Sequence, residues 1–221
     1  MTDPPEPPLS PAERRYGKGP SQAEIDARME RRDKYLLALG RFVDAYADVE
    51  FQTFAVLRWY SETGPTIANA VFSGVRTDAA IDLLRRLATA SIIGKDAWGD
   101  LLPVVDQLKA ISQRRNDILH LGAEGIEEGE GVVTNAARAL TEEHMKSFPI
   151  SPMILNDMTV DLHKITAHLV SRHMGRSPLR GTHPYLERLL TSAWQYKPPP
   201  MPQKKSHKSG KTGRPTNKAQ S

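Results

Sequence analysis

The chain has 221 residues, a formal net charge of +4 and no cysteine. That length admits one ordinary domain or two small ones, and the missing thiols exclude disulfides, thiolate nucleophiles and cysteine-bound metals. The opening MTDPPEPPLSPAERRYGKGP has no apolar run to act as a signal peptide, and no window reaches the ~20 apolar residues of a membrane span, so a soluble cytoplasmic protein without membrane contacts is expected.

Residues 1–21 are proline-rich, lack periodicity and read as disordered. From Ile25 to Tyr60 the apolar residues Leu36, Leu39, Val43, Tyr46, Val49, Phe54, Leu57 and Tyr60 recur at steps of three and four, which predicts one long helix stopped by Gly64 and Pro65. Thr66 to Phe72 continues as a short helical piece. SGVRTDAAIDLLRRLA then starts a further helix with Thr77 as N-cap, Asp78 complementing the dipole, and Ile81, Leu84, Leu87 and Ala88 inside. A break is expected around Gly94 to Gly99. Asp100 reads as the next N-cap, with Pro103 in the first turn and Gly122 as the terminating residue. Leu101, Val105, Leu108, Ile111, Ile118 and Leu119 form that helix's apolar side.

Beyond it AEGIEEGEGVVTNAARALT is acidic and glycine-rich. Its GVVTN suits one short strand or hairpin arm, although a two-stranded hairpin is marginal alone. SPMILNDMTVDLHKITAHLVSRHM resumes helical spacing through Met158, Leu162, Ile165, Leu169 and Met174, and HPYLERLLTSAW closes as a short helix or ordered coil. Lys197 to Ser221 carries seven Lys or Arg and no acid, a disordered basic arm beginning as polyproline II. The expected architecture is all-α: a bundle of four to five principal helices over residues 22–196, with room for a short β-hairpin after the third, between the segment 1–21 and the tail 197–221.

The stretch QRRNDILHLG places Arg115, Asn116 and His120 at the end of the third principal helix. Five residues put Arg115 and His120 about 140° apart around the axis, with Asn116 one turn below His120. Guanidinium grips phosphate through paired hydrogen bonds and imidazole exchanges protons near neutrality, a combination suited to attack of a ribose 2′-hydroxyl on its own phosphate. No metal and no cofactor are assigned. Arg114 beside the motif, with Arg172 and Arg176 from SRHMGRSPLRGTH, adds cations that would attract an RNA backbone. Glu50, on the apolar stripe of the first helix, is expected to face Arg115, Arg85 or Arg86, or to lie at the stripe's margin in water. His163, His168 and His173 are spaced by five, walk around their helix and read as surface or packing residues.

Arg115-Asn116-Asp117-Ile118-Leu119-His120 resembles the signature of the HEPN superfamily, Arg and His with four residues between them, in the form with Asn directly after Arg. The surroundings are similar too, over roughly residues 30 to 175: a long first helix with FVDAYADVEFQTFAVL, a second after FSGVRTDAA, and the motif closing the third. The resemblance implies a helical bundle that dimerises to bring two motifs into one cleft. Many such proteins are metal-independent endoribonucleases of toxin–antitoxin or other defence systems, so RNA, a second copy and an antitoxin or other protein are the partners implied. Carried over, Arg115 holds the scissile phosphate, His120 is general base or acid, and Asn116 orients imidazole or RNA. Other members keep the fold as non-catalytic nucleic-acid or protein adaptors, which is the alternative here. The GVVTN insertion is not part of the superfamily pattern.

Overall fold

Ser21 starts the first helix by a reciprocal cap: its hydroxyl accepts from the Glu24 amide, while the Glu24 carboxylate accepts from the Ser21 amide. In the computed structural model, which describes residues 19–137, 139–141, 145–174 and 184–198, this helix, α1, runs Gln22–Ser61. It is followed by α2 (Pro65–Phe72), α3 (Thr77–Thr89), α4 (Lys95–Leu121), β1 (Gly131–Thr134), β2 (Ser147–Ile150), α5 (Pro152–His173) and α6 (Pro184–Thr191). The protein is thus mostly helical, and no described helix is long and apolar enough to cross a membrane. The expectations for residues 1–18, for Arg176 and for the basic tail from Pro199 onward lie outside the described residues.

Four helices close a ring in which α1 packs against α5 and α3, and α4 packs against both of these. Phe42 and Leu57 of α1, Ile81 and Leu84 of α3, Leu108 and Ile111 of α4, and Leu162 and Ile165 of α5 meet in the middle, all almost wholly buried. Each such side chain contributes about 1.5–3 kcal/mol of burial, which is why the three- and four-residue spacing of these positions dictates the bundle.

The strand pair is a correction in detail. GVVTN forms β1, but its partner β2 comes from SFPI, a stretch not expected to be a strand, in the antiparallel register Gly131↔Ile150 to Thr134↔Ser147. A hairpin alone would be marginal; here Val133, Phe148 and Ile150 are buried in the core cluster. Gly131 is required by closeness, since a Cβ there would sit 2.5 Å from the Ile150 carbonyl oxygen. The loop before β1 is fastened to α1, where Arg31 donates to the Glu127 carbonyl and Arg32 pairs with the Glu127 carboxylate at 2.9 Å.

Two helix starts also differ from expectation. Arg76, not Thr77, is the N-cap of α3, and Thr77 is its first helical residue. α4 starts at Lys95 with Gly94 as its cap, so Gly99, Asp100 and Pro103 lie inside the helix. Burial of Leu101, Val104, Val105 and Leu108 holds that turn together despite a proline, tertiary packing outweighing local propensity. The end is as expected: Gly122 has φ 76° and donates to the Ile118 carbonyl.

The chain after α6 is clasped to α5. Asp161, fully buried, accepts from the amides of Gln195 (2.8 Å) and Tyr196 (2.9 Å) and from the Gln107 side chain (2.8 Å). Lys164 donates to the Ser192 carbonyl and lies over the Trp194 ring, 4.1 Å from its centroid. Burial raises the Asp161 carboxyl above its ordinary value, and the three donors oppose that shift.

Candidate functional site

The C-terminal half of α4 carries the Arg–Asn–His motif past α1 and α3. Arg115 is half-buried with its guanidinium over the Tyr46 ring, 5.1 Å from the centroid, and its Nη1 donates to the Asn116 side-chain oxygen at 3.1 Å. Its Nε is buried and makes no hydrogen bond. No carboxylate among the described residues forms an ion pair with it. His120, in the last turn, is exposed to solvent. It lies roughly 7 Å farther along the helix axis.

Behind Arg115 is a polar cluster drawn from three helices. The Tyr46 hydroxyl donates to Ser112 at 2.9 Å, and the Thr77 hydroxyl donates to Glu50 at 2.7 Å. Burial raises the Tyr46 phenol; its bonds to Ser112 and Thr77 oppose that, Glu50 adds to it and the Arg115 charge subtracts. Glu50 and Thr77 also line a cavity of about 260 Å³ with Thr53, Gly74 and Arg76. Glu50 therefore meets a threonine rather than an arginine. Arg85, one of its expected partners, bonds Asp106 at 2.7 Å instead, and Arg86 is exposed. Tyr46, Thr77 and Ser112 were not singled out as site residues by sequence, because a tyrosine at stripe spacing reads as core and a threonine before a helix reads as a cap.

Arg114 faces the other way. Its Nε donates to the Tyr196 hydroxyl at 3.0 Å, and its guanidinium covers the Phe148 ring at 4.1 Å, so it ties α4 to the hairpin and the C-terminal segment. Arg172 is exposed and pairs with Asp100 at 2.6 Å, far down α4 from the motif. The larger hollow of the molecule, about 930 Å³ and lined by Phe51, Phe54, Trp59 and Ile92 among others, touches neither Arg115 nor His120.

Two of the three spaced histidines do converge, which corrects the sequence reading. His163 is exposed, but His168 and His173 are buried against Asp100 with their rings stacked at 6.1 Å. Burial, partly offset by Asp100, pushes His168 down to about 4 and holds His173 below its usual range. Asp100, His168 and His173 are the described side chains that could hold a metal ion.

No protein-family model, curated protein or solved structure matches this chain. The fold and these contacts therefore carry the functional reading by themselves.

Proposed function

We propose that this chain is a HEPN-like RNA-binding protein that cleaves RNA as a dimer, without using a metal in the chemical step. The observation that carries the reading is Arg115: a half-buried guanidinium, fixed by Tyr46 and Asn116, with a buried Nε that has no hydrogen-bond partner and no carboxylate to neutralise it. A cation kept in place without an anion is prepared to receive one from outside, and a phosphate diester fits guanidinium geometry. The exposed His120 on the same helix supplies the proton-transfer group.

The reaction needs a base and an acid. One imidazole takes the proton from the ribose 2′-hydroxyl as its oxygen attacks phosphorus. The bond to the 5′-oxygen breaks, and a second imidazole protonates that leaving oxygen. The products are a 2′,3′-cyclic phosphate and a free 5′-hydroxyl. Each chain offers one such histidine in its motif, so His120 from each of two copies fills both roles, with Arg115 on the phosphate oxygens and Asn116 holding the guanidinium in register. A twofold arrangement of this kind is the ordinary form of a homodimer.

The test is incubation of purified protein with labelled single-stranded and structured RNAs in EDTA. Cleavage with a cyclic phosphate terminus is expected, falling by about 10²–10³ in Arg115→Ala and more steeply in His120→Ala, with RNA binding retained in the latter. Cleavage that survives both substitutions rules the reading out. The seven cations and absence of acids after Tyr196 favour a second reading, a non-catalytic adaptor. That reading predicts no cleavage and binding lost when residues after Lys197 are removed.

A further inference from the structure

At the opposite end of α4, three helix ends meet where two buried imidazole nitrogens face a single carboxylate. Asp100 comes from the second turn of α4, His168 and His173 from the last turns of α5, and Tyr60 from the end of α1. His168 is 7% exposed and His173 3%; Nδ1 of the first makes no hydrogen bond, and Nε2 of the second faces only Asp100. Both lie beside the same carboxylate oxygen: His173 Nε2 is 3.2 Å and His168 Nδ1 3.8 Å from Asp100 Oδ2, and the three atoms fall within 4.8 Å of one another.

From this geometry we infer a binding site for a divalent first-row transition cation, Zn²⁺ foremost, held by His168 Nδ1, His173 Nε2 and Asp100 Oδ2. Tetrahedral Zn²⁺ with bonds of about 2.0–2.1 Å sets its ligand atoms about 3.3 Å apart, so two of the separations already fit within about half an ångström. Hydrogen bonding alone does not close the network: Asp100 reaches His173 at 3.2 Å, but at 3.8 Å it is too far to satisfy the buried His168 Nδ1.

The surrounding contacts are those that orient metal ligands. The Tyr60 hydroxyl bonds His173 Nδ1 at 2.9 Å, which fixes the ring and leaves Nε2 for the ion. Arg172 holds Asp100 Oδ1 at 2.6 Å, which turns Oδ2 inward. With two neutral imidazoles and one carboxylate the protein supplies three ligands, and solvent completes the fourth position past the partly exposed Asp100. The ion would join α4 to α5 by direct bonds, with Tyr60 adding α1 through His173. It stands apart from Arg115 and takes no part in the proposed cleavage.

The experiment uses the full chain, stripped with EDTA and exchanged into chelator-free buffer, then titrated with Zn²⁺ by calorimetry and with Co²⁺ by visible absorption. About one ion per chain is expected, with a rise in Tm and Co²⁺ bands of a four-coordinate nitrogen/oxygen site. His168→Gln and Asp100→Asn should each lose the Tm rise and weaken binding by about 100-fold or more, while His163→Gln changes neither. Should either buried substitution fail to fold, Tyr60→Phe keeps the three ligands and is expected to weaken Zn²⁺ about 10-fold. Stoichiometry well below one, or Zn²⁺ affinity unchanged in both His168→Gln and Tyr60→Phe, overturns the site. None of these readouts involves RNA, so the nuclease reading and the metal site fail separately.

Discussion

In its second turn α4 turns Asp100 toward two imidazoles and a guanidinium from α5, whereas about four turns later it turns Arg115 over Tyr46 with no acid opposite. The first region surrounds one carboxylate with several nitrogens; the second leaves one cation without an anion among the described residues. Both sit on a single packed helix with the same buried stripe, so the difference is not one of fold stability but of what each end is short of. The Asp100 end gathers ligands suited to a small cation, and the Arg115 end presents a guanidinium suited to an anion.

The contrast can be broken most forcefully at Asp100. Asp100→Ala leaves Arg172 and two buried imidazoles without their partner and is expected to cost about 2 kcal/mol, reduced from the fully buried case because the carboxylate is partly exposed. Chemical denaturation of the metal-free protein measures it. An unchanged midpoint would mean that Asp100 organises nothing. A smaller loss, about 1 kcal/mol, is expected for Tyr46→Phe, which removes the donor to buried Ser112. If Arg115 depends on Tyr46 for its position, the same variant slows RNA cleavage more than it weakens RNA binding. Arg115→Met should be close to neutral for stability, within about 1 kcal/mol, because the lost ring contact is offset by relief of the unbonded Nε. A large destabilisation would show that the guanidinium serves the fold and would remove the main support for an anion site.

The smallest effect is at alkaline pH. Burial raises the Tyr46 and Tyr196 phenols above their ordinary value of 10.0. Because the folded state keeps them protonated where the unfolded chain would ionise, their contribution is intact below that pH and is lost as pH rises through the folded values. Tyrosinate absorbance should therefore appear for these two together with loss of far-ultraviolet ellipticity, and Tyr46→Phe should remove part of the late phase. Early ionisation of both phenols in the folded protein would contradict their burial.

Much of the bundle was legible in the sequence because helix packing depends on a period that composition displays directly. Leu57, Leu84, Leu108 and Leu162 are all at core positions, and Gly122 stops α4 where a left-handed residue is needed. Leu36, Val43 and Leu119, expected on the apolar stripes, are exposed; three other misses share a cause, a neighbour distant in sequence. Gly94 to Pro103 looked like a break, but buried Leu101, Val104 and Val105 carry the helix through it. SFPI, which carries Pro149, was not read as a strand, yet it pairs with β1 and inserts Phe148 and Ile150 into the core. His168 and His173 are spaced to diverge around their helix, yet their rings stack and both face Asp100 of α4. At the motif, residue types were legible and surroundings were not: Glu50 was left between an arginine partner and the stripe's wet margin, and it is half-buried and bonded to Thr77.

Pro103 has a consequence for both ends of α4. It lies between Asp100 and the motif, and lacking an amide hydrogen it leaves the Gly99 carbonyl without its ladder bond. Deuterium uptake should therefore divide this helix into two protected blocks with a quicker seam at its second turn, and occupancy by a cation at Asp100 would slow that seam while leaving the block around Ser112 unaltered.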